Sequence, residues 1–359
     1  MTIAYGFVDL QDMFQERINT VGVQRIWDAI DESAAEYNRT IEELMAAMVE
    51  KSTVAKEQFE LPGGGTLQPL DADGNPLPVK PSGSYNVAYP IQGAGTAWGT
   101  NRVSREMLTV REANRLTVDA QQKDVDWMRR HILAALFDNV TWTFNDEVGP
   151  DGAKGLGSIT IQPLANGDSV TYVKKGGSLA TDDHYLAQSA AIADADNPYD
   201  DIYNDLNEHP SNSGPYVAYI STSLKATTQA LANFVEVTDP DIAPASSAAS
   251  LRSSLARGFG DEVIGKTDNM WIVEWSALPA GYILAHARGG GPVLKMREYD
   301  APALQGFFRE PHNVDGNHMV ERMLRYAGFG VSNRVGALVY YVGGGSYAIP
   351  SGYDAPLAV

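Results

Sequence analysis

Apolar residues recur at three- and four-residue intervals near the start of the chain: Val23, Ile26, Trp27, Ile30, Ala34 and Tyr37, then Ile41, Leu44, Met45 and Met48. That spacing puts them on one helical face, and the pattern extends over residues 20–52. Thr40 followed by Glu43 has the form of a capping box, in which the hydroxyl accepts from the amide three residues on and the carboxylate returns to the cap amide. Two short helices are therefore expected, the second beginning near Ile41. A longer helical pattern covers residues 104–138, with Ser104 as its cap. Met107, Val110, Val118, Val125, Met128, Ile132 and Leu136 form its apolar face, while Arg111, Glu112, Arg115, Asp119, Lys123, Asp124, Asp126, Arg129 and Arg130 form the charged one. At about 1.5 Å per residue it would be on the order of 50 Å long, a spine for the fold.

Between these patterns the periodicity is lost. Residues 61–100 hold eight glycines and six prolines, a composition of turns rather than packed elements. Inside the stretch, Tyr85, Val87, Tyr89 and Ile91 alternate with Asn86, Ala88, Pro90 and Gln92. A strand with one apolar face is expected there, at a sheet edge because Pro90 cannot donate to a ladder. Residues 71–75 (DADGN) begin like a calcium loop, but Pro76 and Ser82 occupy the positions that need Gly and Glu, so they are read as a turn. An apolar strand face and Trp98 without a local core to cover them point to cover by a second copy of the chain.

Downstream, residues 141–175 read as short strands and turns. Residues 181–262 carry helical stretches at 185–193, 200–208, 223–234 and 248–257 around a buried strand at 216–220. The remainder is rich in strands, at 269–275, 282–287, 292–297 and a long run at 329–342, with a helix expected over 319–326.

Charge narrows the function. The 359 residues include 27 Lys plus Arg against 45 Asp plus Glu, a formal charge of -18. More than half of it lies in residues 181–262, with thirteen acidic and three basic side chains. Such a chain is repelled by nucleic acid and by anionic membranes, which disfavours a sequence-reading DNA binder. Cysteine is absent, excluding disulfides, thiol nucleophiles, thiolate zinc sites and cysteine-bound iron–sulfur clusters. The first ten residues lack a basic segment ahead of an apolar one, and the longest apolar runs, at 132–137 and 337–342, are too short to span a bilayer. A soluble intracellular protein without a targeting segment or a membrane partner is expected.

Candidate chemistry is sparse. The dinucleotide-cradle pattern GxGxxG does not occur, and GxSxG and HExxH are also missing. The glycine triplets at 63–65 and 343–345 are read as turns. His131, His184, His209, His286, His312 and His318 are scattered, only the last two being close in sequence, and each is assigned an incidental surface or core role. Asp194, Asp196, Asp200 and Asp201 have the composition of a cation site or catalytic pair, but with Asn197 and Pro198 among them they read as a helix start with an acidic first turn. Trp271 and Trp275, and Tyr340 and Tyr341, are read as core. No catalytic residue, metal site or cofactor is expected.

Taken in order, the chain offers N-terminal helices, a Gly/Pro-rich hairpin, a spine helix, an acidic mixed region and a terminal apolar strand. This order, with ADNPYDDIYNDL (195–206), YVAYISTSLKATTQAL (216–231), MWIVEWSALPAGYIL (270–284) and FGVSNRVGALVYY (329–341), resembles the major capsid proteins of tailed bacteriophages, the Hong-Kong-97-type fold. The resemblance implies an α+β chain with an N-terminal arm (1–60) and an extended β-hairpin loop (61–104). It further implies a peripheral domain with the spine helix (105–160 and 295–335) and an axial mixed α/β domain (161–294 and 336–359). It implies self-assembly into the hexamers and pentamers of an icosahedral head, built in the host cytoplasm and enclosing double-stranded DNA by containment. Scaffolding, portal and decoration proteins are its candidate partners.

In that setting the loop reaches over a neighbour, burying Tyr85, Val87, Tyr89, Ile91 and Trp98 there. Lys80, Arg102 and Arg105 then meet an acidic surface. Some family members cross-link through a loop lysine, an asparagine and a glutamate near the last strands. Here Lys80 and Asn317 or Asn333 are present but no glutamate follows Glu321, so no self-cross-link is expected. With only some sixty residues ahead of the loop, no maturation cleavage is expected and any scaffold is a separate protein. Two other readings remain: an encapsulin-like shell, disfavoured by the large acidic region, and a soluble enzyme with an acidic site at 194–201.

Overall fold

The computed structural model describes residues 4–7, 9–65, 67, 69–76, 81–101, 106–146, 157–236, 262–310, 318–355 and 357. A helical turn, α1 (Ile18–Val21), leads through Gly22, held at a φ of 100° that favours glycine, into α2 (Val23–Met45). The helix is continuous where two were expected. Tyr37, Ile41 and Leu44 stay in phase on the buried face and no Gly or Pro interrupts them, so burial outweighs the cap signal at Thr40. The Thr40 hydroxyl instead bonds the Tyr5 hydroxyl at 3.2 Å. The helix also stops earlier than its pattern, and Val49–Ser52 is a strand, β1.

The spine is α3 (Val110–Phe137), 28 residues and therefore about 42 Å long. It begins later than expected because Thr109 and Glu112 form a reciprocal capping box. Ser104 lies outside the described residues, and Met107 is exposed. The buried stripe is more polar than the pattern suggested. Thr117, Gln121 and Asp124 share it with Val110, Met128 and Ile132, while Val118 and Val125 are half-buried. Asp124, assigned to the charged face, is fully engaged in the core: Arg325 Nε donates to its two carboxylate oxygens at 2.8 and 2.9 Å and Tyr37 donates at 2.7 Å.

Two sheets flank this frame. In the first, β1, β15 (Leu294–Arg297), β17 (His318–Val331) and β16 (Phe307–Glu310) are neighbours, and β4 (Gln92–Asn101) also pairs β17. The helix expected over 319–326 is thus the middle of a fourteen-residue strand. Its buried face is Glu321, Met323, Arg325 and Ala327, and the two charges on that face disguise the period of two. Strand β4 pairs β17 from Gln92↔Ala327 to Asn101↔His318. Its glycines serve this packing, since a Cβ on Gly93 would lie 2.8 Å from the Tyr326 ring and one on Gly95 2.4 Å from Leu324.

The second sheet has seven strands in the order β11 (Val235–Glu236), β12 (Glu262–Lys266), β13 (Met270–Glu274), β10 (Tyr216–Ile220), β14 (Tyr282–Ala287), β18 (Ala337–Val342) and β9 (Tyr185–Gln188). Its centre, β10, is buried at every residue, as a strand sandwiched on both faces must be. Residues 185–193, expected to be helical, instead supply the edge strand β9, and the helix expected at 223–234 shortens to α5 (Lys225–Gln229). The stretch at 248–257 lies outside the described residues. Helix α4 (Pro198–Asn207) packs on β14 and β18. The main apolar core draws on α2, α3 and both sheets, so the two sheets share packing. Among the described residues no helix is long and apolar enough to cross a membrane.

Candidate functional site

The hairpin loop is built on a two-stranded ribbon, β2 (Lys56–Leu61) and β3 (Gly83–Ala88), in antiparallel register from Lys56↔Ala88 to Leu61↔Gly83. The expectation that its apolar face awaits a neighbour is corrected here. Val87 and Tyr89 are fully buried, and Tyr85 and Ile91 are each 8% exposed, within their own chain. Tyr85 stacks on Phe59 with ring centroids 5.3 Å apart and donates to the Ser332 carbonyl at 2.9 Å. The Arg334 guanidinium stands 5.4 Å over its ring. That arginine is itself held by the Pro163 carbonyl at 2.8 Å, the Tyr172 hydroxyl at 2.7 Å and Asp168 at 2.7 Å. Burial pushes the Tyr85 hydroxyl up to about 12 despite the nearby arginine.

Tyr89 donates to Glu57 at 2.8 Å, and Lys295 reaches the same carboxylate at 2.9 Å. Burial would raise Glu57, but the hydrogen bonds from Lys295 and Tyr89 outweigh it and hold the carboxyl below its ordinary value. Trp98 is half-buried against the main core. Lys80, Arg102 and Arg105 lie outside the described residues. Alternation alone revealed the buried face; what it could not reveal was that β2, Ala165, Tyr172 and the turn after β17 supply the cover.

Among the described residues of the connection between β2 and β3, two leucines are left uncovered. Leu67 is 99% exposed and Leu70 61%. The connection is not slack at its base, where Gly65 donates to the Gly177 carbonyl at 2.7 Å. Asp71 forms the expected turn, accepting from the amides of Asp73 at 3.0 Å and Asn75 at 2.7 Å. Two exposed leucines on such a projection are the apolar surface that the strand face is not.

The acidic group at 194–201 behaves as a helix start. Asn197 caps α4 by accepting from the Tyr199 amide, Pro198 takes the first turn, and Asp200 and Asp201 follow. Asp194 accepts instead from the Ala232 amide at 2.8 Å. The four carboxylates do not converge on a common point.

A different group does converge, and spacing could not have shown it. His184, at the start of β9, and His209, just beyond α4, bring their Nε2 atoms to 3.1 Å, although 25 residues separate them. Asp182 Oδ2 lies 2.6 Å from His209 Nε2 and 3.3 Å from His184 Nε2. All three side chains are buried. Burial would raise the Asp182 carboxyl, but the hydrogen bonds from both imidazoles hold it well below the usual carboxylate range. Burial opposes charge on His184 as well, yet Asp182 moves it upward. Beside them Asp205 is pushed up to about 6, chiefly by burial, with Asp182 and Glu208 adding to it. Glu208 is paired with Lys174.

The chain superposes on a structure from Mycobacterium phage Patience with a TM-score of 0.64 and 20% identity, covering 95% of this chain and 94% of that one. It also matches the asymmetric unit of the bacteriophage PhiM1 mature capsid with a TM-score of 0.50 and 8% identity, covering 84% and 86%. No protein-family model matches the sequence, and no curated protein does. The fold is that of tailed-phage capsid chains, as the order of elements implied.

Proposed function

We propose that this protein is the major capsid protein of a tailed phage, a structural subunit that assembles with copies of itself into the head shell. The observation that carries the reading is the backbone likeness over 95% of the chain to the Patience structure. On this reading the chain divides into a peripheral body around β17 and α3 and an axial body around β10. The two exposed leucines at 67 and 70 suit burial on a neighbour. Obligate interfaces of shell proteins bury on the order of 2,000 Å² or more, far beyond what one strand face supplies. The ribbon therefore acts as a rigid stalk, and the 62–82 connection at its end makes the contact.

Net charge fits containment. A shell whose subunits each carry a formal charge of -18 holds packaged DNA weakly and lets it leave. The same charge opposes assembly, so the basic residues of the loop, Lys80, Arg102 and Arg105, are assigned to acidic surfaces of the neighbour. Assembly places the protein in the virion, where scaffolding, portal and decoration proteins would be its partners, and leaves no role for catalysis. Light scattering on the size-exclusion eluate tests this. Particles of megadalton mass, or capsomers that convert to them with added salt, are expected; a chain that remains at 38.8 kDa in every salt would refute it.

A further inference from the structure

The Asp182, His184 and His209 cluster brings three side chains of metal-ligating chemistry to one buried point. The Nδ1 of His184 lies 2.6 Å from the Ala337 carbonyl, which can only accept, so that nitrogen carries the hydrogen. In the neutral ring, Nε2 is then a lone pair, and it points at Asp182 Oδ2 and His209 Nε2. The carboxylate is oriented for the same point, since its Oδ1 accepts from the Asp183 amide at 3.0 Å and leaves Oδ2 aimed inward. Two imidazole nitrogens and one carboxylate oxygen, all able to ligate a cation, thus face one another where water has little access. The surroundings add two further carboxylates and one ammonium group. Ligand oxygens of Asp182, Asp205 and Glu208 lie within 4.8 Å of one another, and Lys174 is bound to Glu208.

We propose that Asp182, His184 and His209 bind a divalent transition metal of the zinc class. Two imidazole nitrogens and one carboxylate oxygen are the donor set such ions take, whereas calcium and magnesium prefer oxygen alone. Ligands about 2.0–2.1 Å from a tetrahedral ion lie about 3.3 Å apart. Two of the three separations here, 3.1 and 3.3 Å, already fit. The third, 2.6 Å, is a hydrogen bond that the ion replaces when Asp182 moves back slightly. The bond from His184 to the Ala337 carbonyl is the outer contact that orients a metal-bound histidine. Asp205 fills the fourth position directly or through water, and together with Glu208 it lines a surface cleft through which an ion can enter. The ion ties the edge strand β9 and the end of α4 to β18, stapling one side of the seven-stranded sheet.

The test uses the full-length, untagged chain in its assembled form, stripped with chelator and titrated with Co²⁺ alone and Zn²⁺ alone. The expected result is one ion per chain, a visible Co²⁺ spectrum of tetrahedral type that Zn²⁺ abolishes, and a melting midpoint raised by several degrees. His184→Gln and His209→Gln should each lose the spectrum. Retention of the spectrum in both variants would place the metal elsewhere and overturn the proposal. Should the variants fail to fold, the wild-type titration decides alone: no bound Co²⁺, with the cluster holding only protons, also overturns it.

Discussion

The buried pair of Asp124 and Arg325 joins the spine helix to the longest strand, and its removal offers the sharpest energetic test. Each side chain is 2% exposed. Asp124→Ala would leave the guanidinium with only Asn38 at 3.2 Å and Glu298 at 3.6 Å, and the Tyr37 hydroxyl without its acceptor. Breaking one side of a fully buried ion pair costs about 3–5 kcal/mol, a large share of the stability of any domain. Removing the whole group is a different perturbation. In Tyr37→Phe, Asp124→Leu, Arg325→Met no uncompensated charge remains, because Glu298 keeps Lys51 at 3.1 Å and the Gly306 amide at 3.0 Å. The triple variant should therefore recover most of the loss and lie within about 1–2 kcal/mol of wild type. Urea unfolding of dissociated subunits at one fixed concentration, read by tryptophan fluorescence, measures both. A single variant costing under about 1 kcal/mol would refute the reasoning, as would a triple variant less stable than the single one.

Other expectations follow from the same packing. His286 is wholly buried, stacked at 5.8 Å on Tyr219, with no hydrogen-bond partner for either ring nitrogen among the described residues, and burial pushes it down to about 3. Its depressed value means that stability is fully present above the unfolded value near 6.5 and falls as pH drops from there toward 3. At pH 5 the loss is about 2 kcal/mol relative to neutral pH, and His286→Phe should remove that component, a result checked by unfolding at the two pH values. Gly328 lies where β17 crosses the chain entering β4, and a Cβ there would be 2.1 Å from the Pro90 carbonyl oxygen. Gly328→Ala should destabilise by about 1–3 kcal/mol, visible as a lowered melting midpoint. Leu67→Asp with Leu70→Asp should leave subunit circular dichroism unchanged and block shell formation; normal shells would show that the tip is not a contact. Arg102→Glu with Arg105→Glu should likewise block assembly, and unimpaired shells in the electron microscope would remove the loop's electrostatic role.

The legible parts of the fold were those where local pattern and burial agree. The strand at 216–220 is apolar at every position and stands at the centre of its sheet. Helix α4 begins where Asn197 and Pro198 mark it. Errors fell where a buried face carries charge or lacks side chains. Arg325 and Glu321 turned an inward strand face into an apparent helix, and the glycines of β4 looked like loop because their partners on β17 fill the space above them. The ribbon's apolar face was read correctly as buried but assigned to the wrong cover, since nothing local to residues 85–91 reveals that Arg334 and Ser332 meet it. The two histidines of the cluster are 25 residues apart on separate elements, and only the path of the chain brings them together.

The central claim is that this chain is a shell subunit. Negative-stain electron microscopy of the void-volume fraction of the expressed protein tests it most directly. The account predicts closed, hollow icosahedral shells or rings of five and six subunits. A field of small uniform particles, with no rings or shells at any protein or salt concentration, would contradict it.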